Sequence, residues 1–421
     1  MTEGRKQQKP IAVIGAGVVG AATALMLARE GHAVTLFDPE DAGEQCSFGN
    51  ASLIASFAVE PLVLPGDLPG LPRQMFDPMS PLFLRWRYLP KAIPWLLGVL
   101  ANAAPKKAEA LARAKASLLA RIESTLPVLV AEASASHLVR KPGLLDVYGS
   151  ERTWKASRAL DALRERNGVR VEDISVEEAR QMEPALAPVF SHARFVPDVW
   201  QTTNPHALTQ AIVAAFRAHG GEVVRDRVRD FVRDGQRVTG MTGEAGRYDV
   251  AGAVVAAGAW SKTIATRLGF PLPMEVERGY HIMTHDATVR LDRPLCWVDG
   301  PVYMAPLETG LRLTSVVEIA GMDAPRNPKC FEMIRRHAAR ILPDLDTRAT
   351  GPDDEWMGLR PSVTDPNPVL GRAPGFANLY FNFGHGHTGL TLAAPSAQVI
   401  ADLVAGRDPG LDLGPFRADR F

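Results

Sequence analysis

The tightest constraint on this chain comes near its start, where Ile11-Ala12-Val13-Ile14 runs directly into Gly15-Ala16-Gly17-Val18-Val19-Gly20. An uncharged stretch continues to Ala28, and a second apolar run over residues 33–37 ends at Asp38. This order predicts a strand, a tight turn, a helix over 18–30 and a second strand. Each glycine has its own task. Gly15 permits the sharp turn, Gly17 lets the backbone approach a pyrophosphate, and Gly20 lets the helix lie close on the sheet. The helix that Val18 and Val19 open presents free N–H groups and a positive dipole end to phosphate. Asp38, 23 positions after Gly15, stands where a carboxylate can hold a pair of ribose hydroxyls. Its charge also disfavours a 2′-phosphate. The unit reads as the ADP-binding half of a dinucleotide site, and by itself it leaves NAD and FAD open.

Residues 11–28 follow Arg5, Lys6 and Lys9, which gives them the superficial look of a leader or anchor. The glycine spacing and the return to a second strand argue instead for a folded βαβ unit. At 421 residues the chain is too long for one ordinary core, so two interleaved domains are expected. Lys+Arg and Asp+Glu both total 47, which argues against a nucleic-acid partner. Cys46, Cys296 and Cys330 lie far apart without metal-ligand spacing. No metal site and no disulfide framework are therefore expected, and a reducing, cytoplasmic setting fits.

Further along, the Gly/Asn/Ser-rich stretch Cys46–Ser52 replaces the next βαβ unit that a simple NAD dehydrogenase would show. Its side chains and backbone can meet a pyrophosphate and a flavin edge, or it can be an ordinary polar loop. Residues 206–219 read as a helix, and Glu222–Val228, Arg237–Thr242 and Val250–Ala256 as strands. The last ends in Ala257-Gly258-Ala259-Trp260-Ser261, suited either to a close passage under a cofactor or to a simple turn. Near the C-terminus, Gly358-Leu359-Arg360-Pro361 precedes a strand over 378–383 and the loop Gly384-His385-Gly386-His387-Thr388-Gly389-Leu390-Thr391. An Ala-rich helix then runs to about Val404. This second glycine-rich strand–helix junction places another positive helix end where a reduced ring would carry negative charge.

Taken together, these segments resemble the FAD-dependent D-amino acid oxidase superfamily, and within it the bacterial D-amino acid dehydrogenase group, over nearly the full length. Ser47–Ala51 matches its Ser-Phe-(Ala/Gly)-Asn-Ala pattern, Gly358–Pro361 its Gly-Leu-Arg-Pro, and Gly384–Thr391 its Gly-His-Gly-x-x-Gly-(Leu/Trp)-Thr. The resemblance implies an α/β fold: a Rossmann-like, glutathione-reductase-like FAD-binding domain interleaved with an α+β substrate domain on a mainly antiparallel sheet. Residues 1–60, 200–266 and 351–421 would form the first domain. Residues 61–199 and 267–350, with a helical insert, would form the second. The cofactor implied is non-covalent FAD, held by Gly15, Gly17, Val18, Val19, Gly20, Asp38, Ser47, Asn50, Ala51, Val228, Ala257, Gly258, Trp260, Gly384, His385, Gly386, Gly389, Leu390 and Thr391. Arg360 would pair with the substrate carboxylate, since a planar guanidinium grips a carboxylate at two points. His387 departs from the family, where glycine oxidases carry arginine and D-amino acid oxidases glycine; it can touch substrate or simply bond its own loop.

The implied reaction is oxidation of a D-amino acid, D-proline and hydroxy-D-proline among the candidates. A hydride equivalent passes from Cα to flavin N5, and the electrons go on to a quinone or another non-oxygen acceptor. Two alternatives stay open: a glycine- or sarcosine-type oxidase using oxygen, and an electron-transfer subunit of a larger complex. In the substrate domain Arg278–Met283 reads as a strand beside Trp297–Pro306 and Leu311–Glu318. Tyr280 and His281 then point to opposite faces; Tyr280 is the first candidate to face substrate and Tyr303 the second. Residues 82–100 mix leucine, aromatic and basic side chains, while Pro90 and Pro94 oppose a continuous spanning helix. Such a segment suits either a peripheral contact with the inner face of the membrane or packing on its own domain.

Overall fold

A computed structural model describes residues 9–70, 77, 79–285, 288–347, 351 and 354–421; Arg5 and Lys6 lie outside them. Ile11–Ile14 is the centre of a six-stranded sheet. Glu222–Arg225, Val34–Asp38, Ile11–Ile14, Gly252–Val255 and Leu379–Phe383 run parallel in that order, and Val369–Arg372 closes the edge antiparallel. Strands buried on both faces need continuous apolar runs, and Gly252–Val255 and Leu379–Phe383 are buried throughout. Helix Val18–Arg29 lies on the sheet beside helices Pro205–Ala218 and Gly389–Val404. Its close approach depends on Gly20, where a Cβ would sit 1.8 Å from the Gly15 carbonyl oxygen.

The run expected as one strand over Glu222–Val228 divides at Asp226. Glu222–Arg225 joins the parallel sheet, and Val228–Asp234 starts an antiparallel three-stranded sheet with Arg237–Gly243 and Arg247–Asp249. Asp226 makes the corner, because its carboxylate accepts the N–H groups of Glu244 and Ala245 and the Tyr248 hydroxyl.

A nine-stranded, mainly antiparallel sheet forms the other layer. Its main path runs Glu355–Val363, Met274–Thr284, Gly310–Ile319, Val302–Leu307, Leu295–Trp297, Leu144–Tyr148, His192–Val196 and Glu172–Ile174, with Leu82–Leu84 also beside Gly310–Ile319. The single run expected over Trp297–Pro306 is thus a hairpin. Asp299 turns the chain, its carboxylate accepting the Gly149 N–H and the Thr153 hydroxyl at the start of helix Glu151–Arg166. Helix Pro328–Ile341 covers one face of this sheet.

Helices Pro105–Leu119 and Ile122–Glu132, expected with the antiparallel sheet, instead pack on helix Gly389–Val404. Ala112, Leu118, Ile122, Leu126 and Leu129 share a core with Leu25 and Ala397, so the helical insert buries its apolar side on the parallel-sheet layer. Residues Leu89–Asn102 form one helix, with Pro90 in its first turn, where no partner for an N–H is needed, and Pro94 inside it. Ala92, Trp95, Val99 and Asn102 face inward. Trp95 Nε1 donates to the Ser362 carbonyl and Asn102 Nδ2 to that of Thr364, which ties this helix to the strand carrying Arg360.

Candidate active site

The parallel strands end at one edge of their sheet, and a cavity of about 1130 Å³ opens there and runs on beneath the antiparallel sheet. Open α/β sheets bind ligands at this edge. One end is built by the first turn. Gly15 has φ +106°, and a Cβ there would lie 2.4 Å from the Ala256 carbonyl oxygen. Asp38 faces the cavity with Oδ2 taking the Ala16 N–H at 2.6 Å and Oδ1 that of Glu40 at 3.0 Å. Burial raises its pKa. A carboxylate has about four acceptor positions, so both oxygens retain capacity for ribose hydroxyls. Ser47 Oγ takes the Val18 N–H at 2.8 Å, and Asn50 braces its own loop through the Ser47 carbonyl and the Ser52 N–H.

Gly17, Val18, Val19, Ala51, Val228, Ala257, Gly258, Trp260, Gly384, His385, Gly386, Gly389 and Leu390 also line the cavity. Gly20 and Thr391 do not. Gly20 is spent on helix packing, and Thr391 Oγ1 accepts the Ala55 N–H at 2.9 Å. The residues present fit a dinucleotide: a turn closed to any Cβ, a ribose-type acid and a two-helix-end cavity share one continuous space. Among the described residues no cluster of three or more His, Cys, Asp or Glu could hold a metal ion.

The other end centres on Arg360. In strand Glu355–Val363 it pairs with Glu277 of Met274–Thr284, and its guanidinium lies across Gly279, where a Cβ would come 2.1 Å from Cζ. Nη1 donates to the Val316 carbonyl at 2.9 Å. Val316 has φ +74° at a bulge in Gly310–Ile319, an uncommon conformation for a β-branched residue. Burial lowers the pKa of Arg360, against the opposing pull of Glu277 and Cys46.

Residues 277 and 279 face the cavity, so 278 and 280 face away. Tyr280, expected against substrate, is therefore buried under helix Pro328–Ile341, its hydroxyl on Glu318 Oε2 at 2.5 Å and its ring edge-on to Phe331. His281 is also buried, stacked on Trp356 and bonded to the Gly49 carbonyl, and burial pushes its pKa down to about 3. Tyr303 does line the cavity, as do Thr314 and Ser315.

No motif in the sequence marks Glu277. Its side chain is only 4% exposed, yet it borders the cavity and meets His387 Nε2 at 2.5 Å. Burial pushes this carboxyl up, but His387, Arg360 and the Ser362 hydroxyl outweigh it and hold the pKa below the usual value. In the sequence its one trace is the even spacing with Gly279, which puts the two on one face of a strand.

This fold and cavity define a dinucleotide-binding α/β class. The family model described as FAD dependent oxidoreductase, DAO, matches residues 10–403, and the chain belongs to that family. FAD is its cofactor. Among relatives, a D-amino-acid oxidase of Bradyrhizobium diazoefficiens is 35% identical over 425 aligned residues, covering 100% of both chains. A D-amino acid dehydrogenase of Paramagnetospirillum magneticum is 32% identical, covering 98% of both. The crystal structure of glycine oxidase from Geobacillus kaustophilus shares the fold, with a TM-score of 0.74 at 22% identity over 98% of this chain and 99% of that one.

Proposed function

We propose that this flavoenzyme oxidises a D-amino acid to the imino acid, which water converts to the 2-oxo acid and ammonia, and that its electrons pass to a quinone or another non-oxygen acceptor. The observation that carries the reading is the half-buried Arg360 guanidinium, laid over Gly279 and facing the same cavity as the Gly15 turn. FAD, when bound, supplies the two-electron acceptor for the hydride equivalent leaving Cα. The chain's part is placement. Arg360 holds the α-carboxylate and so sets the direction of the Cα–H bond. Tyr303 and His387 border the same space. The wall formed by Leu62, Leu82, Leu84, Trp95 and Leu96 supports an apolar substrate side chain, cyclic D-proline-like amines included.

In this reading residues 1–60, 200–266 and 351–421 serve the cofactor, apart from strand Glu355–Val363, which joins the antiparallel sheet and brings Arg360 to the substrate, and 61–199 with 267–350 close the substrate side. The AMP end rests on Gly15, Gly17 and Asp38, while Ser47, Asn50 and the Gly384–Leu390 loop serve the pyrophosphate and ring. Helix Leu89–Asn102 carries Ile93, Leu97 and Leu100 exposed, with exposed Trp86 just before it, and no acid occurs between Asp77 and Glu109. An apolar face set among basic residues favours a peripheral contact with an anionic membrane surface. Among the described residues no helix is long and apolar enough to cross a membrane.

The relative named as an oxidase favours a second reading, with oxygen as acceptor. Anaerobic flavin bleaching across D- and L-amino acids, prolines and N-methyl glycines tests the substrate class. Bleaching by D-amino acids is expected, and bleaching by N-methyl glycines alone would overturn it. Stoichiometric peroxide under air would assign oxygen as the acceptor.

A further inference from the structure

We infer that His387, oriented by Glu277, is the base that takes the proton from the substrate's ammonium group before oxidation. The inference rests on the amino acid reading above and adds a proton-transfer step to it. An amino acid arrives near neutral pH with its nitrogen protonated, and an ammonium nitrogen has no lone pair to support departure of a hydride from Cα. Some group must accept that proton where Arg360 holds the carboxylate.

The geometry supplies one. His387 sits in the 3-10 turn Gly386–Thr388 on the cavity wall, its side chain 45% exposed. Nε2 is on Glu277 Oε2 at 2.5 Å, and Nδ1 has no hydrogen-bond partner among the described residues. A carboxylate acceptor fixes the ring with its proton on Nε2 and leaves the lone pair on Nδ1. This is the relation of orienting acid to imidazole base seen in catalytic dyads. Glu277 is itself fixed by Ser362 Oγ at 3.0 Å and by the neighbouring charge of Arg360. Of the other titratable groups, Cys46 and Tyr303 line the same cavity, and His385 of the same loop is buried, its pKa pushed down to about 3 by burial and by Lys115.

In the step, one N–H bond of the substrate ammonium breaks and an Nδ1–H bond forms. The substrate becomes the neutral amine and His387 the imidazolium, whose charge Glu277 balances. The two electrons then go to FAD, and the imidazolium proton leaves to solvent through the exposed side of the ring.

The experiment compares wild type, His387→Asn and Glu277→Gln, each loaded with FAD, by the rate of anaerobic flavin bleaching against pH. Near neutral pH, His387→Asn is expected to lose about 10²-fold in kcat/KM. The deficit should close as pH rises toward the substrate amine's own pKa, where the neutral amine arrives without help. A deficit that stays constant with pH, or no deficit, would overturn the inference. Glu277→Gln should show a smaller loss with the same closing trend; because His387 is half-exposed, its variant decides the matter if the buried one does not fold. Independently of turnover, nitrogen NMR of the His387 ring should report the Nε2-protonated tautomer, and the Nδ1-protonated form would contradict the dyad. Failure of the amino acid reading is distinguishable, because wild type itself would then not be bleached by any amino acid.

Discussion

Gly279→Ala separates the role of Arg360 from the stability of the fold. The new Cβ would lie 2.1 Å from Cζ, 2.2 Å from Nη2 and 2.6 Å from Nη1, whereas ordinary contact starts at 3.4 Å. The guanidinium must therefore retreat by roughly 1 Å, a misplacement that costs about 10²-fold when it reaches reacting groups. At 1.36 kcal/mol per decade this is ~2.7 kcal/mol of lost transition-state stabilisation. The retreat also strains the bond from Nη1 to the Val316 carbonyl. Little of this should register in the fold, since the displaced atoms are the end of a flexible side chain and alanine suits a strand at least as well as glycine. The assay is anaerobic flavin reduction by a D-amino acid, read beside thermal unfolding of the same samples. The expected result is bound FAD, an unfolding midpoint close to wild type and kcat/KM down about 10²-fold. An unchanged kcat/KM would refute the placement of substrate against Arg360.

Three further outcomes follow from other parts of the molecule. Burial pushes the Asp146 carboxyl up to about 6, against the pull of Arg164 and Arg194, and its Oδ1 is buried with no hydrogen-bond partner. A folded-state pKa above the unfolded one makes stability fall as pH rises through about 6, so Asp146→Asn should gain up to ~3 kcal/mol above that range and nothing at acid pH, as read by urea unfolding at several pH values. Gly15→Ala puts a side chain at φ +106° and 2.4 Å from the Ala256 carbonyl oxygen, so it should lower the unfolding midpoint and release FAD, measured as the absorbance retained after gel filtration. Charging the exposed helix face with Ile93→Glu and Leu97→Glu should abolish co-sedimentation with anionic vesicles while leaving dye-linked turnover intact; undiminished sedimentation would assign the contact elsewhere.

What could be read from the chain alone was set by how local the determinants are. The Gly15–Gly20 turn and Asp38 declare themselves because spacing along one βαβ unit fixes their geometry. Arg360 is legible through its Gly-Leu-Arg-Pro setting. Glu277 was not, since a glutamate in a strand normally faces water, and only the pairing with Glu355–Val363 shows that this one is buried beside Arg360. Tyr280 failed for a related reason. Alternation correctly separates Tyr280 from its neighbours, but which face meets the cavity depends on helix Pro328–Ile341 covering the other, a contact far along the sequence. The break at Asp226 escaped because Glu222–Val228 holds no glycine or proline to mark the corner, which is made instead by bonds from Glu244, Ala245 and Tyr248, far along the chain. The helical insert was expected from the resemblance alone, and that its helices Pro105–Leu119 and Ile122–Glu132 bury their apolar side on the parallel-sheet layer depends on contacts with helix Gly389–Val404 far along the chain.

The claim that Arg360 and the flavin meet in one cavity is tested most directly by titrating FAD-loaded wild type and Arg360→Ala anaerobically with the same D-amino acid. The account predicts that both proteins remain yellow beforehand and that wild type bleaches at low substrate. The variant should need about 10- to 100-fold more, the loss of a charge-assisted hydrogen bond to a carboxylate. Equal bleaching of the two proteins at the same substrate concentration would contradict it.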